Sequence, residues 1–140
     1  MKTGDRFGPS SWTEIPQERI DAFAEATGDH QWIHVDPERA KKESPYGGPI
    51  AHGYLTLSVL PAASYEVIPP PGSGMAINYG LNRVRFPAPV PVGSRVRAAF
   101  EVAGVDEAEW GTQVTMTATV EREGGDKPVC VAEVLFRYYS

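Results

Sequence analysis

Two of the chain's three histidines and two aspartates crowd into one short stretch, Thr27-Gly28-Asp29-His30-Gln31-Trp32-Ile33-His34-Val35-Asp36-Pro37. A carboxylate and an imidazole held together in a partly dry pocket make a general acid/base pair. Imidazole titrates near neutral pH, and burial raises a carboxylate toward the same range. Asp29 and His34 are the candidates. Asp29 follows a glycine of the kind that ends helices, so its side chain projects from a tight turn. Trp32 and Ile33 are apolar, and are expected to anchor the loop in the core and draw His34 inward. The competing reading is a solvated turn with capping aspartates. That reading is preferred for Asp36, which stands just before Pro37 as a helix N-cap would, and His30 is read as a surface residue. His30 and His34 are four apart, a spacing that would put two imidazoles on one helix face as metal ligands. Gly28 and Pro37 interrupt such a helix and the glutamate of an HExxH motif is missing, so no metal site is expected.

The elements that must position these residues follow from periodicity. Over residues 16–27, Ile20, Phe23, Ala24 and Thr27 recur at helical spacing, with Pro16 in the first turn and Gly28 past the end. Asp36-Pro37 opens a short second helix. Residues 29–36 read as irregular, and residues 44–53 as a loop rich in Pro and Gly. Residues 52–67 lack a continuous polar face, which predicts a buried helix, bent or broken at Pro61 and ended by the prolines from Pro69. The period then switches to two. Val96, Ala98, Phe100 and Val102 alternate with polar or small neighbours, as do Val114, Met116, Ala118 and Val120. Residues 75–86 and 129–139 complete at least four long strands, with Gly124-Gly125-Asp126 as a hairpin turn. Helices followed by a run of antiparallel strands define an α+β fold. Burying an apolar helix calls for wrapping the sheet around it, which leaves the other sheet face for another partner.

Composition excludes several function classes. The 140 residues suit a single domain spanning 1–140, and 41% hydrophobic with 22% charged residues is a globular balance. A net charge of −5 argues against a nucleic-acid partner, whose phosphates are held by Lys and Arg. No apolar run approaches a membrane span, and Met1 to Asp5 has no signal-peptide character, so a cytoplasmic protein is expected. The single Cys130 lies between two valines in a strand and reads as a packed thiol. Gly72-Ser73-Gly74 lacks the third glycine of a dinucleotide fingerprint, and neither a phosphate-binding loop nor a nucleophile elbow occurs.

The stretch from Ala26 to Pro37 resembles the hydratase motif of the MaoC-like dehydratases, the (R)-specific enoyl-CoA hydratases. Pro49-Ile50-Ala51-His52-Gly53-Tyr54-Leu55 is similar to the family's second landmark, the entry to its central helix, and residues 77–90 resemble the strand and turn that follow. The closest likeness is to the NodN-like branch. The resemblance implies a hot-dog fold, an antiparallel sheet wrapped around a long central helix, assembled as a homodimer with the two sheets joined. It implies reversible hydration of a trans-2-enoyl thioester of coenzyme A, or of acyl carrier protein, to the (R)-3-hydroxyacyl thioester. Coenzyme A then belongs to the substrate, and no metal or other cofactor is implied. Asp29 and His34 match the catalytic pair, and Gly53 matches the glycine whose N–H binds the thioester oxygen. Gln31, His52 and Tyr54 are candidates for lining the substrate, with His52 alternatively shaping the loop-to-helix turn. Gln31-Trp32 replaces the commoner Asn-Pro, a departure expected to alter substrate choice before it abolishes the reaction. Arg83 and Arg85, on one strand face, read as ordinary solvated residues. The alternatives are a non-catalytic thioester-binding subunit of a larger dehydratase and a hot-dog thioesterase.

Overall fold

The computed structural model describes residues 1–70, 72 and 74–140. Helix α1 (Gln17–Thr27) buries Ile20 and Ala24, and Pro16 precedes it in extended backbone. Gly28 ends it at φ 84°, a left-handed conformation that suits glycine, and donates its N–H to the Ala24 carbonyl at 2.8 Å. The chain therefore turns sharply at the residue before Asp29.

The stretch read as irregular contains one helical turn, α2 (Trp32–Val35). The Gln31 carbonyl accepts from the His34 N–H at 3.0 Å and the Trp32 carbonyl from the Asp36 N–H, also at 3.0 Å. Gly28 and Pro37 do exclude a long helix, yet they leave room for four residues. A second expectation is corrected here as well. His34, 8% exposed, is the buried residue of this turn, whereas Trp32 and Ile33 stay half-buried. Trp32 lies under the Arg39 guanidinium, 4.3 Å from its ring centre, so the tryptophan is stacked at the surface and is not the anchor. Helix α3 (Pro37–Glu43) begins as expected, with the Asp36 carboxylate accepting from the Arg39 N–H at 3.1 Å.

The central helix is two pieces, α4 (Gly53–Leu57) and α5 (Leu60–Val67), with Pro61 in the first turn of the second. Pro61 offers no N–H to the preceding turn, which accounts for the break. Leu55, Leu60 and Ala63 join the core against the sheet, Thr56 and Ser64 are buried, and the hydroxyls of Ser58 and Ser64 donate back to the carbonyls of Leu55 and Pro61. The helix is not enclosed on all sides, since Tyr54 is 73% and Tyr65 83% exposed. Among the described residues its apolar outer side has no cover. Helix α5 ends before the proline run, of which Pro71, like Ser73, lies outside the described residues.

Strands β3 (Ala76–Arg85), β4 (Ser94–Ala108), β5 (Gly111–Arg122) and β6 (Cys130–Tyr139) form one antiparallel sheet with two short strands, β1 (Arg6–Phe7) and β2 (Thr13–Ile15). The order is β1-β4-β5-β6-β3, with β2 also on β4. Alternate residues of β4, β5 and β6, among them Val96, Phe100, Met116 and Val134, pack on Ile20, Leu55 and Leu60. The sheet thus wraps the helix pair, as the hot-dog expectation required. Its outer face did not keep to expectation. Arg97 pairs with Glu121, Arg95 with Glu123 at 3.0 Å, and Arg6 with Glu101 at 3.3 Å. A face so charged is built for water. Besides the outer side of the helix pair, unpartnered apolar surface lies on edge strand β3, where Ile77, Tyr79 and Leu81 are exposed and which, among the described residues, hydrogen-bonds β6 on one side only. Two register shifts, between Asn78 and Gly80 and between Leu81 and Arg83, break its alternation. Among the described residues no helix is long and apolar enough to cross a membrane.

Candidate active site

Asp29, His34 and His52 meet at one end of the helix pair, each offering an oxygen or ring nitrogen within 4.8 Å of the others. Asp29 comes from the turn after α1, His34 from α2 and His52 from the residue that caps α4. His34 is held at three points. Its own N–H reaches Gln31, the Gln17 amide donates to its carbonyl at 2.8 Å, and its ring Nδ1 lies 2.7 Å from the Ile50 carbonyl. A carbonyl only accepts, so Nδ1 carries the proton and Nε2 is the bare nitrogen. Burial is the largest influence on this ring and holds its pKa below the ordinary 6.5. The Ile50 bond and the Asp29 carboxylate oppose that shift, and His52 adds to it.

Asp29 is exposed in the single chain. Its carboxylate accepts from the Gln31 N–H at 3.3 Å, an Asx turn of its own making. The His52 ring, 2% exposed, stacks on His34 with centres 4.0 Å apart and planes 27° from parallel, and Phe23 lies 4.9 Å away. Ring lone pairs lie in the ring plane, so stacked rings direct them side by side and not at a shared point. The cluster is accordingly a poor cage for a cation.

The first helical residue of α4, Gly53, has an N–H with no partner one turn earlier, and the helix dipole adds partial positive charge there. A cavity of about 320 Å³ opens beside it, lined by Tyr46, Ile50, Thr56, Phe86 and Pro87 among others. The absent side chain of Gly53 is filled by Phe86, whose ring would stand 3.0 Å from an added Cβ. Of the remaining candidates, Gln31 is exposed and contributes its backbone carbonyl to α2, while Tyr54 lines a separate groove with Leu57 and Leu81. His52 sits inside, at the loop-to-helix turn. Ile50, Gln17 and Phe86 escaped sequence reasoning. Two act through a carbonyl or an amide that any motif would overlook, and Phe86 reads only as a strand's last residue.

The family model described as MaoC like domain matches residues 1–125. The chain belongs to the MaoC-like family. This MaoC-like protein is 56% identical over 138 residues to 3-hydroxyacyl-thioester dehydratase Z of Mycobacterium tuberculosis, covering 98% of this chain and 91% of the relative. It is 46% identical over 136 residues to nodulation protein N of Rhizobium leguminosarum bv. viciae, covering 94% and 83%. Its fold matches the (R)-hydratase from A. caviae involved in PHA biosynthesis with a TM-score of 0.79 and 26% identity, over 98% of this chain and 96% of that one. The hot-dog architecture and the dehydratase/hydratase family expected from the motifs both hold for it.

Proposed function

We propose that this protein catalyses the reversible, (R)-specific hydration of trans-2-enoyl-CoA, using no resident metal or organic cofactor. The observation that carries the reading is the approach of the Asp29 carboxylate to the His34 ring, whose Nε2 is left bare by the Nδ1 bond to Ile50, in a cluster completed by His52, the residue that opens α4. A water between Asp29 and His34 meets two acceptors. One proton leaves the water as its oxygen bonds to C3, and one proton reaches C2, so the pair ends in the state in which it began. Both groups lie on one side of the double bond, which fixes a single hand at C3. Negative charge grows on the thioester oxygen as water attacks, and the Gly53 N–H is assigned to receive it. The lowered pKa of His34 keeps its ring neutral, and so able to accept a proton, at pH 7. Gln31, exposed beside the pair, is assigned to the rim that the thioester crosses; Tyr54, in its separate groove, is not. The uncovered β3 edge and the exposed tyrosines of α4 and α5 support a homodimer, whose second copy would shield the exposed Asp29 from bulk water.

The test is hydration of crotonyl-CoA and longer enoyl-CoA thioesters by the purified chain, followed by loss of the enoyl-thioester absorbance, with chiral analysis of the product. Hydration to the (R)-alcohol is expected. Release of free thiol without hydration would make it a thioesterase, and tight binding without turnover a binding subunit. Either result overturns the reading.

A further inference from the structure

The His52 side chain makes no hydrogen bond to its own helix: it stands at the N-cap of α4 but caps nothing. Its Nε2 instead lies 2.9 Å from the backbone carbonyl of Asp29, 23 residues earlier. The carbonyl must accept, so Nε2 donates, and the other ring nitrogen has no partner among the described residues. Among the described residues Asp29 itself is otherwise held only by local bonds: its N–H reaches the Thr27 hydroxyl at 3.4 Å and its carboxylate accepts from the Gln31 N–H at 3.3 Å, both long. The short bond to His52 is what fastens this turn to the helix pair. The same ring stacks on His34 at 4.0 Å. Its backbone leads directly into Gly53, and its carbonyl receives the Thr56 N–H that starts α4.

We propose that His52 is the positioning residue of the site: one buried ring, bonded to the Asp29 backbone and stacked on His34, sets the separation of carboxylate and imidazole and keys both to the Gly53 amide. This deepens the hydratase reading and rests on it. The ring is 2% exposed, with Nε2 on the Asp29 carbonyl and its face on His34, so it acts through Asp29 and His34 and not on substrate. A leucine would fill much of the volume without the donor. A glutamine can place an amide N–H near the position of Nε2. Acid/base partners gain most of their rate from correct placement, and a misplacement of about 1 Å can cost on the order of 100-fold.

The experiment compares His52→Leu and His52→Gln with the parent in crotonyl-CoA hydration, after circular dichroism confirms that each is folded. His52→Leu is expected to lower kcat about 30-fold with KM changed less than about 3-fold, and His52→Gln to recover about 10-fold of that loss. In parallel, His34 is titrated by NMR with and without Asp29→Asn. In the parent background, removing the Asp29 charge lowers the His34 midpoint; in the His52→Leu background it leaves that midpoint unmoved, because the two groups have drifted apart. An unchanged kcat in His52→Leu, equal losses in both variants, or a His34 response to Asp29→Asn that survives in His52→Leu overturns the proposal. If the parent itself hydrates no enoyl-CoA, the hydratase reading falls alone, and the NMR comparison still decides whether His52 sets the pair.

Discussion

Replacing Asp29 by asparagine separates two roles that the geometry allows for its carboxylate. The substitution keeps the shape of the side chain and the Oδ1 that accepts from the Gln31 N–H, so the turn after α1 is preserved. It removes the charge and the capacity to take a proton. If the carboxylate acted only by its field on His34, the loss follows from Coulomb's law. At the 4.8 Å limit of their separation the pair interacts by about 0.9 kcal/mol in bulk water and about 3.5 kcal/mol at an effective dielectric of 20. Asp29 is exposed, which selects the lower end: about 1 kcal/mol, or roughly a fivefold loss of rate. A group that itself moves a proton in the transition state contributes roughly 100- to 10,000-fold. The assay is steady-state hydration of crotonyl-CoA at pH 7.5, with matched circular dichroism spectra. We expect kcat to fall by more than about 100-fold with KM nearly unchanged. A loss of fivefold or less would refute the assignment of Asp29 to proton transfer and leave it as an electrostatic bystander.

Three further outcomes follow from the same structure. His34 has its pKa below 6.5 when folded, chiefly through burial, so between the two values the unfolded chain binds more protons than the folded one. Its contribution to stability is therefore complete above pH 6.5 and is lost as pH falls through the lowered folded value; urea unfolding at pH 7.5 and pH 5 should show a smaller drop for His34→Gln than for the parent. Gly53→Ala places a methyl 3.0 Å from the Phe86 ring, which is 43% exposed and able to shift by a few tenths of an ångström, so the chain should fold while kcat/KM falls about 10-fold as the amide's surroundings move; unaltered kinetics would count against a role for this helix start. Phe100, 2% exposed at the centre of the sheet's inner face, should cost about 3–5 kcal/mol when cut to alanine, seen as a fall in thermal midpoint of roughly 10 °C or more.

Where side-chain period and burial coincide, the fold was readable in advance. Val96 to Val102 and Val114 to Val120 alternate because one face of β4 and β5 meets the helices and the other meets water. Gly28 and Asp36 announced a helix end and a helix start because both positions make demands that few residues meet: a positive φ in one case, a short acceptor reaching back to a backbone N–H in the other. Strand β3 was readable as a strand but not as an exposed one. Its apolar residues are those of a buried strand, and a periodicity cannot state which chain does the burying.

The candidate site divides along the same line. Asp29 and His34 could be singled out by type and spacing, since a carboxylate and an imidazole close in sequence have few ways to avoid each other around a one-turn helix. What fixes their protonation and separation was hidden. The Ile50 carbonyl selects the His34 tautomer from 16 residues away, and His52 fastens Asp29 from 23 residues away through a backbone atom that carries no sequence identity. Backbone carbonyls are available at every position, so only the folded path of the chain determines which of them a ring nitrogen meets. The break between α4 and α5 belongs with these long-range effects. It ends the first helical piece at Leu57, so that α4, whose first residue Gly53 lines the cavity, and α5, which starts afresh at Leu60, are separate segments. The proline that weakens this helix as a helix thereby separates the half that opens on the cavity from the half that continues along the sheet, while Leu55 and Leu60 keep both in one core.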